Sequence, residues 1–288
     1  MLWSTIIINL LDAIVYTGVK LIAYSREDVA GGNIARILRE SFGFAESGDV
    51  FDGKPVLRRG DALLVESAES ILYRSDFGGL APEFMVVASR HRSESGEPTL
   101  TAHATGNFGE AGLGGLPGRL SLAPALLLRQ AIELLKLNVG PLPYKVGLEV
   151  THHGPTELPF PLVYVEVGST EKQWRDGDAC LVVAEVIDAL VSDDIPERPS
   201  AIGFGGTHYA PNFSEVTGNV ALGHIAPKHA LEHVSQPMVE QMIDRTTPKP
   251  EFAVLDWKGM KSEEKHKITT TLNELSLPWR KTSEFKRL

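Results

Sequence analysis

Strand-length apolar runs alternate with amphipathic helical stretches along almost the whole chain, and that alternation restricts the fold more than any other feature. From Val19, VKLIAYS reads as a buried strand, and AGGNIARILRES as a helix with Ile34, Ile37 and Leu38 on one face. DALLVES and EFMVVAS are short apolar runs of strand length. Between Ser89 and Leu122 the chain is rich in Gly, Ser and Pro and reads as one long loop, a feature that compact domains often reserve for function. PALLLRQAIELLKLN reads as a helix, with Pro124 near its start and Arg129, Gln130, Glu133 and Lys136 on its polar face. KVGLEVTHH and LVYVEVGS follow as strands, and DACLVVAEVIDALVS as a helix. AIGFGGTHYAP, ALGHIAP and EFAVLDWKG are further strands, and a closing helix is expected from about Lys261 to Leu275. Such alternation implies the α/β class, with a mostly parallel sheet covered on both faces.

One α/β domain is expected over residues 19–288. The first 18 residues, MLWSTIIINLLDAIVYTG, stand apart as an N-terminal extension and suggest a misplaced start. They are interrupted by Asn9 and Asp12 and are too short for a membrane span. No basic segment precedes them and no small-residue cleavage site ends them, which argues against a signal peptide. Cys180, the single cysteine, excludes an internal disulfide and suits a reducing compartment. Its apolar neighbours mark it as a core residue rather than a nucleophile.

The net charge of −9 argues against non-specific nucleic-acid binding by the whole surface. The charge is uneven, however. Residues 256–288 hold eight Lys and Arg against five acids, so this end is basic on an acidic body. It reads either as a solvated helix face or as a phosphate-contacting patch.

Three histidine-bearing segments share one plan. TLTAHATGNFG, GLEVTHHGP and AIGFGGTHYAP each place His at the end of an apolar run, close to Gly or Pro. Ligands in open α/β sheets bind at the carboxyl ends of strands. His103, His152, His153 and His208 are therefore the candidate catalytic residues, with water as the attacking group. Thr105, Asn107, Thr207 and Tyr209 are candidate hydrogen-bonding partners for a substrate. Neighbouring side chains on a regular strand point to opposite faces. Either one of His152 and His153 lines the site while the other packs, or the turn at Gly154–Pro155 bends the chain so that both converge. Glu149, Glu157 and Glu166 are the nearby carboxylates, and Glu166, inside an apolar run, is suited to orient a histidine. GHIAPKHALEH adds His224, His229 and His233; the last two have the i, i+4 spacing that metal sites use on a helix. Neither a GxxxxGK[ST] loop, nor a GxGxxG turn, nor a GxSxG elbow is present.

KLIAYSREDVAGGNIA, HATGNFG, EVTHHGPTELPFPLVYVEVGSTEKQW, GFGGTHYAPNF, GHIAPKHA and DWKGM, in this order from about residue 20 to 275, resemble the archaeal and plant type of D-aminoacyl-tRNA deacylase. The resemblance implies hydrolysis of the ester joining a D-amino acid to the 3'-terminal ribose of tRNA, which recycles mischarged tRNA in translation quality control. It implies a three-layer α/β/α fold like that of nucleoside phosphorylases and peptidyl-tRNA hydrolases. It also implies zinc, for which His152, His153 and His208 are the first candidate ligands and His224 and His229 the second. Glu157 and Glu166 become candidates to orient the substrate's α-amino group, and the basic C-terminal segment a candidate contact for the tRNA 3' end. A cytoplasmic monomer is expected. The competing readings are a peptidyl-tRNA hydrolase-like enzyme, a zinc-dependent amidohydrolase and a non-catalytic tRNA-binding protein.

Overall fold

β1 (Lys20–Ser25) leads into α1 (Val29–Ser41), whose first turn is capped by Asp28, which accepts a 2.8 Å bond from the Gly31 amide. Gly31 has no room for a side chain, because a Cβ there would stand 2.6 Å from the Ala88 carbonyl oxygen. This structure is a computed structural model, and it describes residues 18–285. The extension expected over residues 1–18 thus lies, apart from Gly18, outside the described residues.

A hairpin that the apolar pattern does not disclose follows, formed by β2 (Ala45–Phe51) and β3 (Lys54–Arg59). Its strands are exposed or half-covered except at Phe51 and Val56, so they carry no apolar run. β4 (Ala62–Ser67), β5 (Phe84–Arg92) and β6 (Thr99–His103) come next. The stretch expected as one loop from Ser89 to Leu122 therefore contains the end of β5 and all of β6. The residues between the two strands and those after His103 are irregular, apart from isolated bridges. β7 (Ala123–Pro124) and α2 (Ala125–Asn138) lead to β8 (Lys145–Leu148) and β9 (Leu162–Ser169). α3 (Glu171–Trp174) and α4 (Gly177–Ser192) are followed by β10 (Ser200–Phe204), α5 (Pro211–Ser214) and β11 (Ala221–Ala226). The chain closes with α6 (Gln236–Asp244), β12 (Thr246–Thr247), β13 (Phe252–Leu255), α7 (Ser262–Glu274), β14 (Trp279–Lys281) and α8 (Thr282–Phe285).

The strands form an eight-stranded sheet in the order β2-β3-β4-β1-β5-β9-β6-β8, a four-stranded sheet in the order β11-β10-β13-β14, and the small pair β12-β7. The larger sheet is mixed, with β4, β1, β5 and β9 mutually parallel and β6 running against β9. The smaller sheet is wholly parallel. The expected mixed, mostly parallel α/β architecture is what the chain builds.

Alternation along the strands assigns each face. Val86, Ala88, Val163, Val165 and Val167 pack with α1, α2 and α4 in one core. Leu21, Val65, Met85, Val87 and Tyr164 point the other way, where Ile71, Phe77, Leu158 and Phe160 cover them. Those covering residues come from connecting segments, not from long helices. In the smaller sheet, Ala201, Leu222 and Val254 share the first core with α2, while Ile202, Phe204 and Leu255 pack on α6 and α7. The larger sheet thus has a helix-covered face and a face closed by loops. The strand ends on that second face are free to build a site. Among the described residues no helix is long and apolar enough to cross a membrane.

Candidate active site

The residue pattern that buries Val163, Val165 and Val167 beneath the helices turns Tyr164 and Glu166 to the loop-covered face. The same alternation turns Ser89 and His91 of β5, and Thr101 and His103 of β6, to that face. Register then brings them together: Ser89 pairs with Glu166, Thr101 with Glu166, and His103 with Tyr164. Gly168 leaves room for His91, because a Cβ there would lie 2.9 Å from the His91 Cβ.

Beyond β8 the chain leaves the sheet. Val150 donates to the His208 carbonyl at 2.9 Å, and Thr151 donates to the Ile225 carbonyl at 3.0 Å, which ties this segment to the ends of the smaller sheet. His153 then takes a left-handed backbone conformation, φ 45°. L-residues rarely adopt it, and here it breaks the strand alternation. The adjacent imidazoles converge as a result, with ring centroids 4.4 Å apart. Of the two sequence alternatives, the bent chain is the one realised.

Four imidazoles meet at this point. The ring of His152 lies 4.3 Å from that of His103 and 4.7 Å from that of His208, and the ring of His153 lies 4.8 Å from that of His103. Main-chain carbonyls set three tautomers. Nδ1 of His103 donates to Ala104 at 3.1 Å, Nδ1 of His152 to Val150 at 2.8 Å, and Nδ1 of His153 to Gly154 at 2.6 Å. With the proton on Nδ1, Nε2 keeps its lone pair, the state that a metal ligand or proton acceptor requires.

Glu149 lies at the centre and is 1% exposed. Its carboxylate is 2.9 Å from His208 Nε2, 3.1 Å from His91 Nδ1 and 3.5 Å from His152 Nε2. The distances are those of ion pairs, yet neither oxygen accepts a hydrogen bond of good geometry. Burial alone would raise this carboxyl, but the His208 side chain and the neighbouring imidazoles hold it down at about 2. Glu166 is likewise held below the usual carboxylate range, against its burial, by His103 and His91.

The imidazoles divide electrostatically. Burial, joined by the positive field of neighbouring rings, keeps His152 well below its ordinary value and His153 at about 4, so both are neutral near pH 7. Burial also works to lower His91 and His103, but the carboxylates outweigh it. His91, between Glu166 and Glu149, is raised to about 9, and His103 is raised through Glu166, 3.4 Å from its Nε2.

His91, His152, His153, His208, Tyr164 and Glu166 line a cleft of about 410 Å³, which Asp28, Arg90 and Leu113 extend. Tyr164 places a buried hydroxyl without a hydrogen-bond partner there, and burial keeps it protonated.

The other sequence candidates sit around this centre in different roles. Thr105 Oγ1 donates to the Pro155 carbonyl at 2.6 Å, and Asn107 Nδ2 donates to Gly114 and Leu116, so both brace loops. Glu157 stands 3.6 Å from Arg119. Thr207 is exposed, and the Tyr209 hydroxyl lies 3.1 Å from His91 Nε2. His224 is not brought to the cluster. Both its ring nitrogens are engaged, by Thr151 and by the Ser121 carbonyl, and burial holds it at about 4. His229 and His233 are exposed on a 3-10 turn, Lys228–His233, where i and i+4 do not share a face as they do on an α-helix. Among the described residues neither joins a metal-ligating group. Cys180 is buried and its thiol is pushed up to about 12, unsuited to nucleophilic attack.

Sequence reasoning missed His91, Tyr164 and the centrality of Glu149. His91 ends the apolar run EFMVVASRHR, so the strand-end rule that selected the other histidines also fits it. Tyr164 is two residues from Glu166 and shares its face, but one aromatic in an apolar strand gives no separate signal.

The sequence profile described as D-aminoacyl-tRNA deacylase matches residues 79–280 of this chain. A D-aminoacyl-tRNA deacylase of Thermococcus onnurineus is 37% identical over 270 residues, covering 90% of this chain and 98% of that protein. One of Pyrococcus horikoshii is 36% identical over the same shares, and one of Methanosarcina mazei is 42% identical over 72% of this chain and 70% of that protein. A crystal structure of a conserved protein of unknown function superposes with a TM-score of 0.86 at 29% identity, covering 94% of this chain and 97% of that one.

Proposed function

The chain belongs to the D-aminoacyl-tRNA deacylase family, and we propose that the histidine–glutamate cluster is where it hydrolyses the ester between a D-amino acid and tRNA. The observation that carries this reading is the central one. Glu149 is buried, its charge is countered by the imidazoles around it, and yet it accepts no well-formed hydrogen bond, while His152 and His153 beside it keep the proton on Nδ1. A buried ion pair of this kind is a poor source of fold stability, because desolvation offsets most of its attraction. Its persistence points to chemistry.

The donor set fits zinc. The ligating atoms of His103, His152 and His153 lie within 4.8 Å of one another, and His103 Nε2 has no hydrogen-bond partner. These three side chains would hold the ion, with Glu149 and Glu166 as the charge behind them. Bound there, zinc would lower the pKa of water to about 7 and polarise the ester carbonyl.

The protein's own groups do the rest. His208 is the most open imidazole of the set, with 41% of its side chain exposed. Glu149 holds the Nε2 side of this ring, which leaves Nδ1 to take a proton from the attacking water and return it to the leaving ribose oxygen. Such help is worth roughly 10²–10⁴-fold. The Tyr164 hydroxyl is a donor in reserve for the carbonyl oxygen as it becomes an oxyanion. Glu166, on the cleft wall, is the acid placed for a substrate ammonium group, whereas Asp28 is committed to the Gly31 and Arg90 amides and the Ser89 hydroxyl, and Glu157 faces Arg119.

The basic C-terminal segment supplies a second surface. Trp257 and Trp279 stack with centroids 5.7 Å apart, and Lys265 and Lys281 lie over Trp257. We read this as a contact for the tRNA backbone, because half-buried lysines seated on aromatic rings suit phosphates and bases. A buried free thiol at Cys180 agrees with a reducing, cytoplasmic setting.

The test is release of amino acid from D- and L-charged tRNA, with and without a chelator. The reading predicts turnover of the D substrate, loss with chelator and recovery with zinc. Equal turnover of both stereoisomers, or indifference to chelation, contradicts it.

A further inference from the structure

Three of the six large apolar side chains exposed among the described residues lie on the two segments that border one cleft: Tyr73 (62%), Leu113 (56%) and Leu116 (48%). Leu113 itself lines the cleft, and so does Leu72, the residue before Tyr73. Exposed apolar side chains are ordinary when scattered, but a group rimming a polar cleft marks an interaction site.

The loop that displays the leucines is tethered, not slack. The Gly154 amide, next to His153, donates to the Leu113 carbonyl at 2.9 Å. Asn107 holds the Gly114 and Leu116 carbonyls, and the Leu116 amide donates to Thr156 at 2.9 Å. Gly114 presses on the other half of the lip, since a Cβ there would lie 2.0 Å from the Leu72 carbonyl oxygen. The catalytic turn, the leucine loop and the Tyr73 turn are thus one assembly. Its hydrogen bonds fix two leucines in water, where they add nothing to the core.

We infer that this lip seats the unpaired 3'-terminal bases of the tRNA, with Tyr73, Leu113 and Leu116 as the stacking surface. The inference rests on the proposed deacylase reading. In an aminoacyl ester the amino-acid side chain branches one atom from the reacting carbonyl, so it must lie inside the cleft with the imidazoles. The nucleotides extend away from the ribose oxygen, outward across the lip. The Tyr73 ring accepts any base by stacking, the leucines offer apolar contact to a base face, and Arg90 and Arg92 on the same cleft suit the phosphates between the bases. In this assembly Asn107 is a positioning residue, which keeps the leucines in place.

The probe is an uncharged acceptor-stem minihelix with its single-stranded 3' end, compared with the same minihelix trimmed to a blunt end, using fluorescence anisotropy. Wild-type protein should bind the intact probe at least about tenfold more tightly than the blunt one, given the worth of a stacked base. Tyr73→Ser, Leu113→Ser and Leu116→Ser combined should erase that difference without lowering the melting temperature, since the replaced groups are exposed. KM for charged tRNA should rise by the same factor for D-alanyl and D-tyrosyl substrates. Equal binding of the two probes by the wild type, or an undiminished preference in the triple variant, overturns the inference. A KM defect confined to the large side chain also overturns it, by giving the lip to the amino acid. Probe binding needs no turnover, so this failure is distinct from a failure of the deacylase reading.

Discussion

Glu149 Oε2 lies 2.9 Å from His208 Nε2, although Glu149 follows a strand of the larger sheet and His208 follows a strand of the smaller one. The site is where the two sheets' strand ends face each other. If the pair serves the reaction, Glu149→Gln should cut kcat/KM by about 10²-fold or more. The metal-free variant should melt below the wild type, because the imidazoles that hold this carboxyl down at about 2 lose their counter-charge. Steady-state kinetics and a thermal scan on the same preparation check both halves.

His153 joins the cluster through a backbone that glycine would tolerate better than histidine does. His153→Gly and His153→Ala should both lose activity, since each removes an imidazole. The glycine variant should be the more stable of the two by about 1 kcal/mol, because only alanine keeps the left-handed penalty. Equal denaturant midpoints would show that this φ carries no cost.

Zinc binding should release protons. Without the ion, Glu166 favours the protonated form of His103, the form that a ligating imidazole must leave. Titrating zinc into weakly buffered, metal-free protein at pH 7 should liberate protons in proportion to the ion bound. His103→Gln should abolish that release. Binding without release would place the ion elsewhere.

His224 contributes a pH dependence to stability that is independent of the cluster's chemistry. Burial depresses its pKa to about 4 from 6.5, so between those values the unfolded chain binds a proton that the folded chain refuses. Stability from this group is complete above about pH 6.5 and is lost as pH falls towards 4, by up to roughly 3 kcal/mol. Urea unfolding at pH 7 and pH 4.5 should show the loss, and His224→Gln should make that part of the profile shallower, with the similarly depressed His152 and His153 supplying the remainder.

Much of this architecture was legible as periodicity. β1, β5 and β9 are apolar runs, α1 and α7 are amphipathic, and strand-end histidines marked one side of the site. The β2–β3 hairpin was not legible, because its strands are too exposed to leave an apolar signature. β6 was hidden because TLTAH has one large aliphatic residue and lies between Gly- and Pro-containing segments. The convergence of His152 with His153 depends on a backbone torsion that residue spacing does not encode. The roles of Glu149 and His91 required the registry between strands distant in sequence, which only the assembled sheet supplies. For the same reason the loop hydrogen bonds of Asn107 and Thr105 were not legible in the sequence.

The central claim is that the gathered imidazoles, and not merely the fold, perform the hydrolysis. The most direct measurement is the single-turnover rate of D-amino-acid release from charged tRNA by the His152→Ala/His153→Ala double variant, beside the wild type. The account predicts a fall of at least about 10²-fold, with tRNA binding retained. Undiminished release by the double variant would contradict it.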